Sequence, residues 1–446
     1  MRNLHVEKSS LRYRLLFELV RFYFRIFYRR FTVTGKENIP TDVPVIFAAN
    51  HQNALMDALA MLFAANRPVV FLARADIFKK ARIARLLYFL KILPVYRIRD
   101  GLESMGNNAD TFDMTVKVLQ SGTPLAILPE GTHTSIKRLQ QLKKGICRIA
   151  FQAAESSNFK LNIQIVPVGL DYTNYQNAGT HLLVNYGKPI RVSDYFDLYN
   201  ENAQKALAQL RDDLAIAIKK VMIHVENKEF YHSIQSLTEV LLPSYLEENK
   251  LPDNRVNRFE ASQKIIDRIH TASEENKINL SGLQKEIQDY QQLLDKNKLK
   301  STLFEIKTPS IWFLLISVVL SLAVLPLHLY GMVVNYLPYK IPVLISRKMK
   351  DAQFISSVNF GLSLPLYIIW YMFLFVILTF LTGNSLIVML ILLSWPLAGL
   401  FTFYHFRYLK KLAGKIRLYR LRHNHPKQFG LIEEARQKLI RILEII

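Results

Sequence analysis

Val43-Pro44-Val45-Ile46-Phe47-Ala48-Ala49-Asn50-His51-Gln52-Asn53-Ala54-Leu55-Met56-Asp57 is the stretch on which the fold turns. Its first seven residues form an apolar run of strand length, and polar residues that can turn the chain follow at once. Further runs of the same kind are Pro68-Val69-Val70-Phe71-Leu72, Pro124-Leu125-Ala126-Ile127-Leu128 and Ile163-Gln164-Ile165-Val166-Pro167-Val168. Strands this uniformly apolar are buried on both faces, and helical stretches at Met105 to Gln120 and Gly145 to Ser156 lie between them. The alternation predicts an α/β domain with a largely parallel sheet.

Outside this region the chain changes character. Leu11 to Phe31 mixes large apolar residues with Arg12, Arg14, Arg21, Arg25, Arg29 and Arg30, too many charges for a span. The expectation is an amphipathic helix over residues 1–34, lying in a membrane interface with its arginines on phosphates. A basic helix packed on the protein is the bland alternative. Residues 35–195 are assigned to this α/β domain, and 196–308 to a polar helical arm with periodic Leu207, Leu210, Leu214 and Ile218. Leu283 to Leu299 has the pattern of a helix that pairs with another. Residues 309–405 form a C-terminal transmembrane helical region: Phe360 to Leu381 and Leu386 to Tyr404 each hold about the 20 apolar residues of a span, joined as a hairpin by Thr382-Gly383-Asn384-Ser385. Residues 311–346 are too few for two full spans and a turn. They are expected to re-enter, bending near Pro326 to Gly331. Residues 406–446 are a basic tail.

Composition narrows the partners. The chain has 446 residues, a net charge of +22 and an apolar share of 50%. So large a positive excess favours anionic partners, and the long apolar spans point to lipid and phosphorylated substrates rather than nucleic acid. The one cysteine, Cys147, excludes an internal disulfide and fits a reducing compartment. No histidine spacing suggests a metal site.

His51 lies where a strand gives way to a loop, a place from which an imidazole can reach a cleft and take a proton near neutral pH. Asp57 can accept from its other ring nitrogen and stabilise the imidazolium. Six residues apart on a continuous helix they would point about 120° from each other, so a bend must separate them. Leu128-Pro129-Glu130-Gly131-Thr132-His133-Thr134 ends another strand. There Gly131 permits a tight backbone, Glu130 can fix a hydroxyl or a neighbouring donor, and Thr132 can donate to an oxyanion or cap a helix. Ile92-Leu93-Pro94-Val95-Tyr96-Arg97 ends a third, with Arg97 placed to fork onto a phosphate.

In this order the blocks resemble those of the glycerophospholipid acyltransferase family, the lysophosphatidate acyltransferase-like superfamily. Asn50-His51 with Asp57 looks like its His/Asp motif. Pro94-Val95-Tyr96-Arg97 looks like the block ending in a phosphate-binding arginine. Pro129-Glu130-Gly131-Thr132 looks like the acceptor block, and Ile165-Val166-Pro167-Val168 like the apolar fourth block. Lys143-Lys144-Gly145 and Gly187-Lys188-Pro189-Ile190 are similar to family segments at those places, and the likeness covers roughly residues 30–195. Two departures stand out. Five residues rather than four separate His51 from Asp57, a spacing similar to the fungal-type glycerol-3-phosphate/dihydroxyacetone phosphate acyltransferases. His133-Thr134 replaces the usual Arg-Ser, which weakens one expected cation.

The resemblance implies His51 as catalytic base and Asp57 as its orienting partner. Arg97, Glu130, Gly131, Thr132 and Pro167 are implied as the substrate-binding set. The implied reaction moves a fatty acyl group from acyl-CoA or acyl carrier protein to a glycerol-phosphate type acceptor, either glycerol-3-phosphate or 1-acylglycerol-3-phosphate. It needs no cofactor and no metal. A lysophospholipid or amino-acid-lipid O-acyltransferase is the rival enzyme, and a non-catalytic lipid-binding scaffold the rival of another class. The hairpin leaves Arg347, Lys348 and Lys350 on the same side as the tail from Arg407. The positive-inside rule puts both in the cytoplasm, along with the catalytic domain of an integral membrane protein.

Overall fold

The computed structural model describes residues 6–95, 108–305 and 309–446. They form two compact units, residues 1–224 with 349–357 and residues 225–348 with 358–446.

In the first unit, helix α1 (Leu11–Phe27) starts on Ser10, whose side chain accepts from the Tyr13 amide. It leads directly into strand β1 (Tyr28–Thr34). The helix expected over residues 1–34 therefore ends at Phe27. Phe31, Thr32, Val33 and Thr34 are aromatic or β-branched, and they extend rather than coil. Then follow β2 (Val45–Ala49), α2 (Ala54–Ala65), β3 (Val70–Arg74), α3 (Ala81–Phe89), β4 (Ile92–Val95), α4 (Asn108–Gln120), β5 (Leu125–Ile127), α5 (Gly145–Ser156), β6 (Gln164–Tyr172), β7 (Thr180–Tyr186), β8 (Ile190–Arg191), α6 (Phe196–Glu201) and α7 (Ala203–Val221). The sheet order is β1-β7-β6-β2-β5-β3-β4, with β8 paired to the start of β6. β1 runs parallel to β7, and β6, β2, β5, β3 and β4 run parallel to one another. β6 meets β7 and β8 antiparallel.

The apolar runs read as strands are the centre of this sheet, and Val45 to Ala49 are all buried. β2 lies between β5 and β6, so the loops leaving the C-terminal ends of β2 and β5 must emerge side by side. In sheets of this kind that edge is where ligands bind. α7 belongs to this unit rather than to an arm beginning at 196. Its stripe of Leu207, Leu210, Leu214 and Ile218 is buried in the same core as Ile146, Ala150 and Ile165.

The second unit is helical: α8 (Tyr231–Glu248), α9 (Arg255–Glu274), α10 (Leu280–Lys296), α11 (Ile311–Ala323), α12 (Leu325–Ser346), α13 (Ile355–Thr382, its first turn in the first unit), α14 (Ser385–Asn424) and α15 (Pro426–Ile440). The helix expected near Leu283 buries Leu283, Ile287, Tyr290 and Leu294. The helices holding residues 352–382 and 385–424 are long and apolar enough to cross a membrane, each with a mean hydropathy of 2.3 in its best window. α11 and α12 meet at 52°. The break falls at Val324, ahead of the stretch expected to bend. Pro326 sits in the first turn of α12, where proline needs no amide donor. The basic tail does not follow the hairpin as a separate piece either. α14 runs unbroken from Ser385 through Arg407 to Asn424.

Polar side chains tie these apolar helices together. The Asn335 amide donates to the carbonyls of Gly331 and Trp395 at 2.9 and 3.1 Å, and Tyr371 donates to its oxygen at 2.5 Å. His328 and His405 approach through their Nδ1 atoms at 3.2 Å. Gly331 is where α12 meets α14, since a Cβ there would lie 2.3 Å from the Ala398 carbonyl oxygen. Small residues at such crossings are the usual device in lipid, where close packing replaces the hydrophobic drive.

Candidate active site

The turn after β2 brings His51 and Asp57 together. Ala54 holds φ at 41°, a left-handed conformation uncommon for a residue with a side chain. It supplies the bend that the six-residue spacing required. His51 Nδ1 then lies 2.9 Å from Asp57 Oδ2. The backbone amides of Gln52 and Asn53 both donate to the same oxygen at 2.7 Å, and the Tyr172 hydroxyl donates to Oδ1 at 2.7 Å. Four donors thus converge on a carboxylate with no solvent exposure. A carboxylate so held accepts from Nδ1–H, which leaves Nε2 as the basic nitrogen. Burial and the charge of Asp57 push the Tyr172 phenol well above its ordinary range, so it remains a donor.

The turn itself is pinned from both neighbouring strands. Asn50 pairs with the backbone of Leu170 on β6, its amide donating to the carbonyl at 3.1 Å and its oxygen accepting from the N–H at 2.7 Å. On the β5 side, the His51 N–H donates to Glu130 Oε1 at 2.6 Å and the Gln140 N–H to Oε2 at 2.9 Å. The Thr134 N–H donates to the His51 carbonyl at 3.2 Å. Glu130 is buried, and both its oxygens are taken by backbone. Its geometry is that of a residue positioning the His51 loop. Burial pushes its carboxyl up to about 7 against the pull of those two amides. Gly131 adopts φ 67° in a turn closed by its own N–H to the Leu128 carbonyl, and Thr132 is exposed beside it. Pro167 lies inside β6 opposite Ala48, its ring against the spot where a Gly187 Cβ would stand. That is a packing position within the sheet. Arg97 lies outside the described residues.

Several contacts of the site were not apparent from the sequence. His133, where the family pattern carries an arginine, holds its ring 5.0 Å from that of His51, the two tilted by 56°. Burial, and after it the neighbouring His51, lowers its proton affinity. Phe354 packs edge-on against His133 at 4.8 Å. Ser356 donates to Asn53 Oδ1 at 2.6 Å, and the Asn53 amide donates to the Tyr175 carbonyl at 3.0 Å. Phe354 and Ser356 come from residues 349–357, a short segment between two apolar helices in sequence that folds into the catalytic unit. Nothing in its composition marks it, because its partners lie about 220 to 300 residues earlier in the chain.

Comparison with known proteins finds sequence similarity over the same region. Residues 30–171 match the Acyltransferase family. A chloroplastic 1-acyl-sn-glycerol-3-phosphate acyltransferase of Brassica napus is 24% identical over 191 residues, 42% of this chain and 51% of its own length. A 1-acyl-sn-glycerol-3-phosphate acyltransferase of Borreliella burgdorferi is 30% identical over 142 residues, 32% of this chain and 51% of its own. The crystal structure of PlsC, an acyltransferase of Thermotoga maritima, is 17% identical, covering 47% of this chain and 79% of that one, with a TM-score of 0.33. The chain spans about half the length of the curated relatives it matches. The stretch that matches the Acyltransferase family, residues 30–171, is the one that carries the His51–Asp57 pair at the C-terminal edge of a mostly parallel sheet.

Proposed function

We propose that the chain transfers a fatty acyl group from a thioester to a hydroxyl of a glycerol-phosphate type acceptor, with 1-acylglycerol-3-phosphate as the leading substrate. The observation that carries this reading is the His51–Asp57 pair, whose carboxylate is held by four donors. A protein that only bound lipid would need no base oriented in this way. The names of the relatives support the acceptor class. The five-residue spacing between His51 and Asp57 favours glycerol-3-phosphate as a second reading.

In this mechanism His51 Nε2 takes the proton of the acceptor hydroxyl, and the oxygen attacks the thioester carbonyl carbon. Asp57 stabilises the imidazolium that forms. Collapse of the tetrahedral intermediate expels the thiolate, which recovers the proton from His51. No covalent acyl-enzyme is required. Cys147 is buried in the core, and burial pushes its thiol up to about 12, a poor nucleophile at neutral pH. Arg97 is the candidate for the acceptor phosphate, since a guanidinium forks onto phosphate oxygens. Acyl-CoA or acyl carrier protein supplies the acyl group. The basic residues Arg347, Lys348 and Lys350, and those from Arg407 onward, favour a cytoplasmic catalytic unit. Residues 311–346 are then a re-entrant segment bent at Val324.

The test is acyl transfer by the purified full chain, with acyl-CoA and acyl carrier protein thioesters each offered glycerol-3-phosphate, 1-acylglycerol-3-phosphate, lysophospholipids and amino-acid lipids. Ester formation fastest on 1-acylglycerol-3-phosphate supports the reading. Transfer only to a non-phosphorylated acceptor, or thioester hydrolysis without transfer, contradicts it.

A further inference from the structure

Helix α1 presents two unlike surfaces to solvent. Leu11, Leu15, Leu19 and Phe22 fall within about 80° of one another around its axis, and they are 73%, 64%, 44% and 66% exposed. The opposite side is sealed into the fold through Tyr13, Phe24 and Phe27. A run of four exposed large apolar residues on one helix face is costly in water and favourable in a lipid interface.

Beside this stripe the basic residues close on a cavity of about 630 Å³. Arg21 and Arg25 stand one turn apart on α1, Arg29 follows on β1, Lys36 lies just beyond that strand, and Phe63 and Asn66 come from α2 and its end. Arg21 is fixed to the wall by Glu18 and by Asn66 Oδ1, the latter at 2.6 Å. Four cations around one hollow repel each other, and an anion in it would relieve that repulsion. The hollow and the stripe share one helix, so a phosphate in the first would place acyl chains along the second. We propose that this cavity is a headgroup site for an anionic phospholipid, separate from the acyl-transfer centre. The proposal goes beyond the acyl-transfer reading and does not rest on it.

The experiment is hydrogen exchange on the full chain in nanodiscs of phosphatidylcholine, with and without phosphatidylglycerol, and with inorganic phosphate as the free-anion control. β1 is an edge strand, so occupancy of the cavity should slow exchange of its outward amides. Anionic lipid is expected to protect residues 25–36 several-fold, and phosphate at matched concentration is not. Arg25→Gln with Lys36→Gln should shift half-protection to about 30-fold more anionic lipid, at roughly tenfold for each 1.4 kcal/mol and about 1 kcal/mol per basic residue. Both residues are exposed, so an unchanged melting temperature serves as the folding control. Leu15→Ser is a second variant that should weaken protection while leaving the cations in place. The proposal is overturned if anionic lipid gives no protection, if phosphate protects equally well, or if the double variant responds as the native chain does.

Discussion

Asp57→Asn isolates charge from geometry at the centre of the site. The amide oxygen can take the place of Oδ2 and accept from His51 Nδ1, Gln52 N and Asn53 N. The amide nitrogen would then face the Tyr172 oxygen, whose hydroxyl can rotate to receive it. Only the Tyr172 hydroxyl hydrogen loses its acceptor, so the fold should survive with a modest fall in melting temperature. What is lost is the negative charge beside the imidazolium. Two unit charges about 4 Å apart at an effective dielectric near 20 attract by about 4 kcal/mol. At 1.36 kcal/mol per decade, turnover should fall by about 10³-fold. Asp57→Ala makes the contrast. It strands two backbone amides and a hydroxyl in a buried place, at about 1–3 kcal/mol each, and should unfold the catalytic unit. The assay is steady-state thiol release on matched substrates, with thermal melting of each variant. Turnover of Asp57→Asn within tenfold of native, in a protein that melts normally, would refute the reasoning.

Three further predictions follow from the same contacts. Ser356→Ala should destabilise the catalytic unit by about 1–3 kcal/mol, because Asn53 Oδ1 loses its donor in a buried place; denaturant unfolding checks this, and Ser356→Thr should restore part of the loss. Burial holds the Glu130 carboxyl at about 7, against 4.5 when unfolded, so between those values the folded chain keeps a proton that the unfolded chain has lost. Its contribution to stability is therefore full below about pH 4.5 and is lost as pH rises through about 7. Glu130→Gln, which mimics the protonated form, should flatten the melting temperature against pH over that window, and an unaltered slope counts against it. A cysteine at Asn384, in the turn between α13 and α14, should react with an impermeant reagent from outside the cell, while buried Cys147 stays silent; labelling only after the membrane is opened reverses the topology.

Much of the catalytic unit could be read in the sequence because its central strands are buried on both faces. Val45 to Ala49 and Ile165 to Val168 have no polar side to confuse the pattern. The His51–Asp57 pair was legible for a local reason, since six residues and a bend bring it together. What stayed hidden is non-local. Tyr172 reaches Asp57 across 115 residues and Ser356 reaches Asn53 across 303, and no periodicity encodes such a partner. Glu130 was legible as a site residue, but its two backbone donors, which make it a positioning group, appear only once β2 and β5 are paired. The edge strand β1 was masked by its own Arg29 and Arg30, which continue the helical pattern of α1 past its true end at Phe27.

The most direct test of the account is a single-turnover measurement of acyl transfer by His51→Ala, with enzyme in excess over the labelled thioester. The His51 side chain is 14% exposed and touches the His133 ring, so a melting temperature close to native is the folding control for the variant. The account predicts transfer slower by about 10²–10⁴-fold, the usual worth of a positioned base. Thioester binding should be retained, and the loss should shrink as pH is raised and the acceptor hydroxyl needs less help. Transfer at near-native rate in a well-folded His51→Ala preparation would contradict it.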